Sequence, residues 1–61
     1  MSIREIREKE GLTQKELAQR TGLAELTIWR YEANERVPSV TNAIKLAKAL
    51  NCTVEDLARE Q

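Results

Sequence analysis

The chain predicts an all-α fold, a single domain over residues 1–61 made of five short helices. Three observations carry that prediction. Ala, Leu, Glu, Lys, Gln and Arg, the good helix formers, dominate the 61 residues, with only two glycines and one proline. Residues that start and stop helices recur along the whole chain: Ser or Thr with an acid three positions on, then Gly or Asn at the far end. Between Thr13 and Glu32, finally, a small residue (Ala18), a glycine (Gly22) and an apolar residue six positions beyond it (Ile28) stand where two helices must cross closely around a tight turn.

The elements follow in order. Ser2 with Glu5 forms a capping box, in which hydroxyl and carboxylate each satisfy an orphan N–H; Ile3 and Ile6 then face inward, and Gly11 ends the first helix in a left-handed conformation. Thr13 with Glu16 repeats the box and opens the second helix, which ends near Thr21 and Gly22. The third helix runs from about Glu25 to Ala33, with Asn34 as its left-handed terminator. Pro38 and Ser39 begin the fourth, whose Ala43, Leu46, Ala47 and Leu50 follow the i, i+3, i+4, i+7 spacing of a core-facing stripe, and Asn51 closes it. Thr53 with Asp56 caps a last short helix that turns Val54 and Leu57 inward.

Size and composition exclude several classes. A chain this short buries only about 60% of the surface its unfolded state exposes, so each helix must contribute to a thin core. Cys52 is the only cysteine and there is no histidine, which excludes an internal disulfide and a Cys/His zinc site. No metal and no cofactor is expected. Cys52 is read as a buried small hydrophobe, and Lys45 and Lys48 as a solvated face. The acids form no catalytic constellation and no glycine-rich phosphate loop exists, so an enzyme is not expected. A lone cysteine, no apolar run near the ~20 residues of a membrane span and no signal-peptide run predict a soluble cytoplasmic protein.

Charge gives limited help. Ten Lys and Arg balance ten Asp and Glu. The last nine residues hold three acids (Glu55, Asp56, Glu60) and one base (Arg59), leaving nine bases against seven acids in residues 1–52. That surplus permits an anionic partner without demanding one.

The third helix is two-faced. At 100° per residue Ile28 and Tyr31 share one side with Thr27, while Glu25, Leu26, Trp29, Arg30 and Ala33 share the other. Periodicity cannot choose between two sides that both carry large apolar residues. The tight crossing can: Leu23, Ile28 and Tyr31 must close onto Leu17 and Ala18, which sends Leu26 and Trp29 outward. This is the steric recipe of a helix-turn-helix.

Over nearly its whole length the chain resembles the phage lambda and 434 repressor and Cro family, five-helix DNA-binding domains of the xenobiotic-response-element type. The likeness lies in Ile3-Arg4-Glu5-Ile6-Arg7, Gly11-Leu12-Thr13-Gln14-Lys15-Glu16-Leu17-Ala18, Gly22-Leu23, Thr27-Ile28-Trp29-Arg30-Tyr31-Glu32, Pro38-Ser39 and Leu46-Ala47-Lys48-Ala49-Leu50. It implies a lambda-repressor-like fold whose third helix lies in the major groove of double-stranded DNA, in a transcriptional repressor or regulator of bacterial or phage type, nucleoid-associated when bound. Position by position it implies Gln14, assisted by Lys15, as a phosphate contact, and Arg36, Ser39 and Asn42 as a second phosphate clamp. Glu25, Leu26, Thr27, Trp29 and Arg30 fall where the family meets base edges, and Arg7 with Glu32 matches its structural ion pair.

Departures from the family pattern sharpen the expectation. Ala24 stands where Ser or Thr often caps the third helix, Asn34 where glycine is common, and Glu35 where a base often follows. Leu26 and Trp29 replace small or polar residues, offering apolar contact to thymine methyls, while Arg30 can grip guanine and Glu25 can accept from cytosine. Trp29 has three readings: base or sugar contact, packing over Leu26 or Arg36, or, with Leu26, a patch for a protein partner. The last is the rival function, a protein-interaction module of antitoxin or regulator kind. Val54, Leu57 and Ala58 offer little area for self-association, so the expectation is a monomer in solution or a weak homodimer on DNA. The near-ideal caps and unusual reading face fit a natural or a redesigned family member alike.

Overall fold

A computed structural model describes residues 2–58; Arg59 and Glu60, which enter the charge balance, lie outside the described residues. The elements are α1 (Ile3–Lys9), α2 (Gln14–Thr21), α3 (Glu25–Glu32), α4 (Val40–Ala49) and α5 (Val54–Ala58). No strand occurs among the described residues.

Local chemistry sets most boundaries. At α2 the Glu16 N–H donates to Thr13 Oγ1 (3.0 Å) and the Thr13 N–H donates to Glu16 Oε1 (2.9 Å). Before α5 the same reciprocal pair joins Thr53 and Asp56, at 3.0 and 3.1 Å. Ser39 Oγ accepts the Asn42 N–H at 3.2 Å and starts α4. Gly22 ends α2 at φ 74°, and Asn34 and Asn51 reach φ 59° and 55°, a conformation asparagine tolerates better than most residues.

The predicted box at Ser2 does not form. Ser2 lies at φ −99°, ψ 26°, its side chain makes no cap bond, and its N–H donates instead to the Leu57 carbonyl at 3.1 Å. Glu5 would have needed that same N–H. A tertiary bond from the start of α1 to α5 therefore replaces a local one.

The core is one cluster centred on Ile3, Leu17, Ile28, Leu46, Leu50 and Leu57, all fully buried. Helix α2 packs on both α3 and α4, α4 on α5, and α1 on α3. The α4 stripe of Ala43, Leu46, Ala47 and Leu50 is buried as predicted, with Lys45 and Lys48 exposed. Two expectations fail at the rim. Val54 is exposed, because a five-residue helix has one inward slot and Leu57 fills it. Cys52 is only half-buried, packed on the edge of the core, and desolvation there pushes its thiol pKa up, with Asp56 and Glu10 adding to the effect. The thiol thus stays protonated and poorly nucleophilic. With Leu57 buried, the self-association surface read from Val54, Leu57 and Ala58 shrinks further; besides Val54, exposed aliphatics lie at Leu26, Val37, Val40 and Ile44. Among the described residues no helix is long and apolar enough to cross a membrane, and no cluster of ligating side chains could hold a metal.

Candidate nucleic-acid interface

The turn between α2 and α3 is stitched by one side chain. Buried Thr21 donates its hydroxyl back to the Leu17 carbonyl (2.9 Å), within reach also of the Ala18 carbonyl (3.2 Å), and accepts the Leu23 N–H at 3.3 Å. Gly22 turns the chain, and its N–H closes α2 on Ala18 at 2.9 Å. Ile28 and Tyr31 are thereby buried against α2, at 0% and 5% exposure. The register read from the sequence holds, and the opposite face points to solvent. Leu26 is 57% and Trp29 47% exposed; Glu25 is exposed, and Thr27 and Arg30 are half-buried on the flanks.

Helix α3 has eight residues, about 12 Å of length, and with its side chains a helix is about 10–12 Å across, which a major groove about 12 Å wide admits. Its N-cap, Ala24, is extended and gives no side-chain bond, so no cap side chain takes the first-turn N–H groups. At α2 the box takes the Glu16 N–H; those of Gln14 and Lys15 precede the first intrahelical bond, Leu17 N–H to the Thr13 carbonyl. Gln14 is half-buried and Lys15 exposed beside it.

Behind this face, Glu32 gathers three donors. Arg7 Nε reaches Oε2 at 2.6 Å, Arg7 Nη2 reaches Oε1 at 3.0 Å, and Gln14 Nε2 reaches Oε1 at 3.1 Å. Arg7 Nη1 also donates to the Leu12 carbonyl at 2.8 Å. The two charged side chains are 11% and 5% exposed. The hydrogen bond to Glu32 raises the Arg7 pKa, outweighing desolvation, so the guanidinium keeps its charge. It ties α1 to α3 and reaches α2 through Gln14. Removing one partner alone would strand a buried charge, at a cost of about 3–5 kcal/mol.

The corner between α3 and α4 gathers the second predicted group. Arg36 and Ser39 are exposed, and half-buried Asn42 donates Nδ2 to the Tyr31 hydroxyl at 2.9 Å. The Tyr31 hydroxyl proton remains to be donated elsewhere.

Two features went unread in the sequence. Gln14 is oriented by Glu32, an 18-residue separation that no local pattern encodes. Arg4 lines an open cleft of about 400 Å³ with Arg7, Gln14, Trp29, Glu32 and Ala33. Its signal was present, since Arg4 stands three residues before Arg7 and so shares its side of α1. Trp29 forms part of the cleft wall on the α1 side.

Comparison with known proteins agrees with this arrangement. A family model described as helix-turn-helix matches residues 3–57. An uncharacterised HTH-type transcriptional regulator of Archaeoglobus fulgidus is 44% identical over 55 residues, covering 90% of this chain and 79% of the relative. One from Methanothermobacter thermautotrophicus is 46% identical over 48 residues, covering 79% and 70%. Among solved structures, the restriction-modification controller protein C.AhdI from Aeromonas hydrophila superposes with a TM-score of 0.86 at 36% identity, covering 90% of this chain and 83% of that one. A five-helix fold, a helix crossing set by Ala18, Gly22 and Ile28, and these likenesses lead to one conclusion: the chain belongs to the helix-turn-helix family of DNA-binding transcriptional regulators.

Proposed function

We propose that the protein reads double-stranded DNA by laying α3 in the major groove. Glu25, Leu26, Thr27, Trp29 and Arg30 meet base edges; Gln14 with Lys15 holds one phosphate strand, and Arg36, Ser39 and Asn42 hold the other. The carrying observation is the exposed face of α3, whose two large apolar side chains are held outward by Ile28 and Tyr31. Phosphate contacts set orientation and base contacts specify sequence. Because formal charge is balanced at ten against ten, attraction to any backbone is weak and discrimination rests on fit. The working form is a monomer in the cytoplasm that pairs weakly on adjacent half-sites, regulating transcription without catalysis and without a cofactor.

Selection of duplexes from a random pool, followed by titration at two salt concentrations, tests this. A recovered motif whose affinity falls with salt, more gently than for a strongly basic DNA-binding domain, supports the reading. Failure to enrich any duplex, with no salt-sensitive binding, overturns it.

A further inference from the structure

We propose that Arg4, in the cleft between α1 and α3, is a further phosphate-contacting residue that holds a backbone phosphodiester against Trp29. The inference rests on the DNA-binding reading above and adds a site to it.

The cleft opens beside the reading face, because Trp29 belongs to both: it lines the cleft and is 47% exposed alongside Leu26 on the outward side of α3. A duplex engaged by that face therefore brings its backbone to the mouth of the cleft. Within the cleft, Arg7 and Glu32 cancel each other through two direct hydrogen bonds. The Glu32 carboxylate is 5% exposed and takes a third bond from Gln14, so its charge is covered from the side an anion would approach. Arg4 is then the net charge of the cleft.

Arg4 is held only loosely at present. Its contact with Glu8 is 3.5 Å long between side chains 70% and 57% exposed, and Glu8 lies outside the cleft lining. Exposed pairs of this kind contribute little and exchange easily. Gln14 can complete the site, since its amide carries two hydrogens and Glu32 takes one. Trp29 supplies an apolar wall for the deoxyribose next to the phosphate. At about 400 Å³ the open cleft has room for a phosphate and its sugar. On a chain without surplus positive charge, one guanidinium beside the reading helix places that charge where it serves fit.

Trp29 is the only tryptophan, so intrinsic fluorescence reports on this cleft. The experiment uses the duplex selected with the wild-type chain and measures affinity over a salt series for wild type, Arg4→Gln and Glu8→Gln, each checked for helicity. Arg4→Gln is expected to reduce the salt slope by about 1 and to weaken all duplexes evenly. Glu8→Gln should keep the slope or steepen it. Saturating duplex should protect Trp29 from acrylamide quenching, and inorganic phosphate alone should not. An unchanged slope in Arg4→Gln, or undiminished quenching of Trp29 in the complex, overturns the cleft while leaving DNA binding intact. Protection by phosphate alone overturns it in favour of a free-anion site. A wild-type chain that binds no duplex removes the parent reading and this site together.

Discussion

Helices α2 and α3 are each eight residues long and meet at Gly22, yet they are built in opposite ways. Helix α2 opens with a complete capping box, and its large apolar residue, Leu17, is fully buried. Helix α3 opens on Ala24 with no side-chain cap, and it exposes two of its large apolar residues while burying Ile28 and Tyr31. The difference separates a scaffold from a probe. One helix secures its first turn with its own reciprocal cap and surrenders its large apolar residue to the core. The other leaves first-turn donors and an apolar surface for something outside the molecule, at the cost of local stability that α2 and the buried Glu32 junction make good.

The sharpest way to break this comparison is within α3 itself. Ile28→Ala should destabilise the domain by about 2–5 kcal/mol in urea unfolding, whereas Trp29→Ala, at the opposite face, should cost well under half as much. Equal losses would mean that both faces serve the core. Next in size is the effect on binding. Arg30→Ala should cost about 1–3 kcal/mol on the selected duplex and flatten discrimination, while Gln14→Ala should weaken selected and random duplexes evenly. An equal loss for Arg30→Ala on both would remove it from base reading.

The cap contrast predicts smaller changes of opposite sign. Thr13→Ala should lower stability by about 1 kcal/mol, and Ala24→Ser should raise it by up to a similar amount, both read as shifts in urea midpoint. If Ala24→Ser also weakens DNA binding, the free donors of α3 are part of the interface. Smallest is a pH effect at α2. Hydrogen bonds from the Thr13 backbone and hydroxyl region hold the Glu16 carboxyl below its ordinary pKa. Its contribution is therefore complete above the usual carboxylate value and disappears as pH falls through the depressed folded value, since the unfolded chain takes up its proton first. Glu16→Gln should reduce the acid sensitivity of the urea midpoint, and an unchanged profile would exclude the cap as its source.

Legibility followed the range of the interaction. The boxes at Thr13 and Thr53 were readable because three residues bring both partners together, and the left-handed ends at Gly11, Gly22, Asn34 and Asn51 because few residue types accept positive φ. The α4 stripe was readable because helical periodicity alone places Ala43, Leu46, Ala47 and Leu50 on one side. Ser2 misled for the complementary reason: its local pattern is intact, but Leu57, far away in sequence, competes for the same N–H. Val54 misled because α5 is too short for periodicity to define a face.

What the sequence by itself determined is the set of five helices, the crossing of α2 and α3, and the outward turn of Leu26 and Trp29. All of these follow from backbone preference, periodicity and the steric demand of one tight turn. Only the tertiary structure decided that Gln14 hangs from Glu32, that Asn42 reaches Tyr31, and that Arg4 and Trp29 share a cleft. Those pairings join helices through side chains distant in sequence, and their geometry exists only once the core around Leu17, Ile28 and Leu46 has fixed how the helices lie.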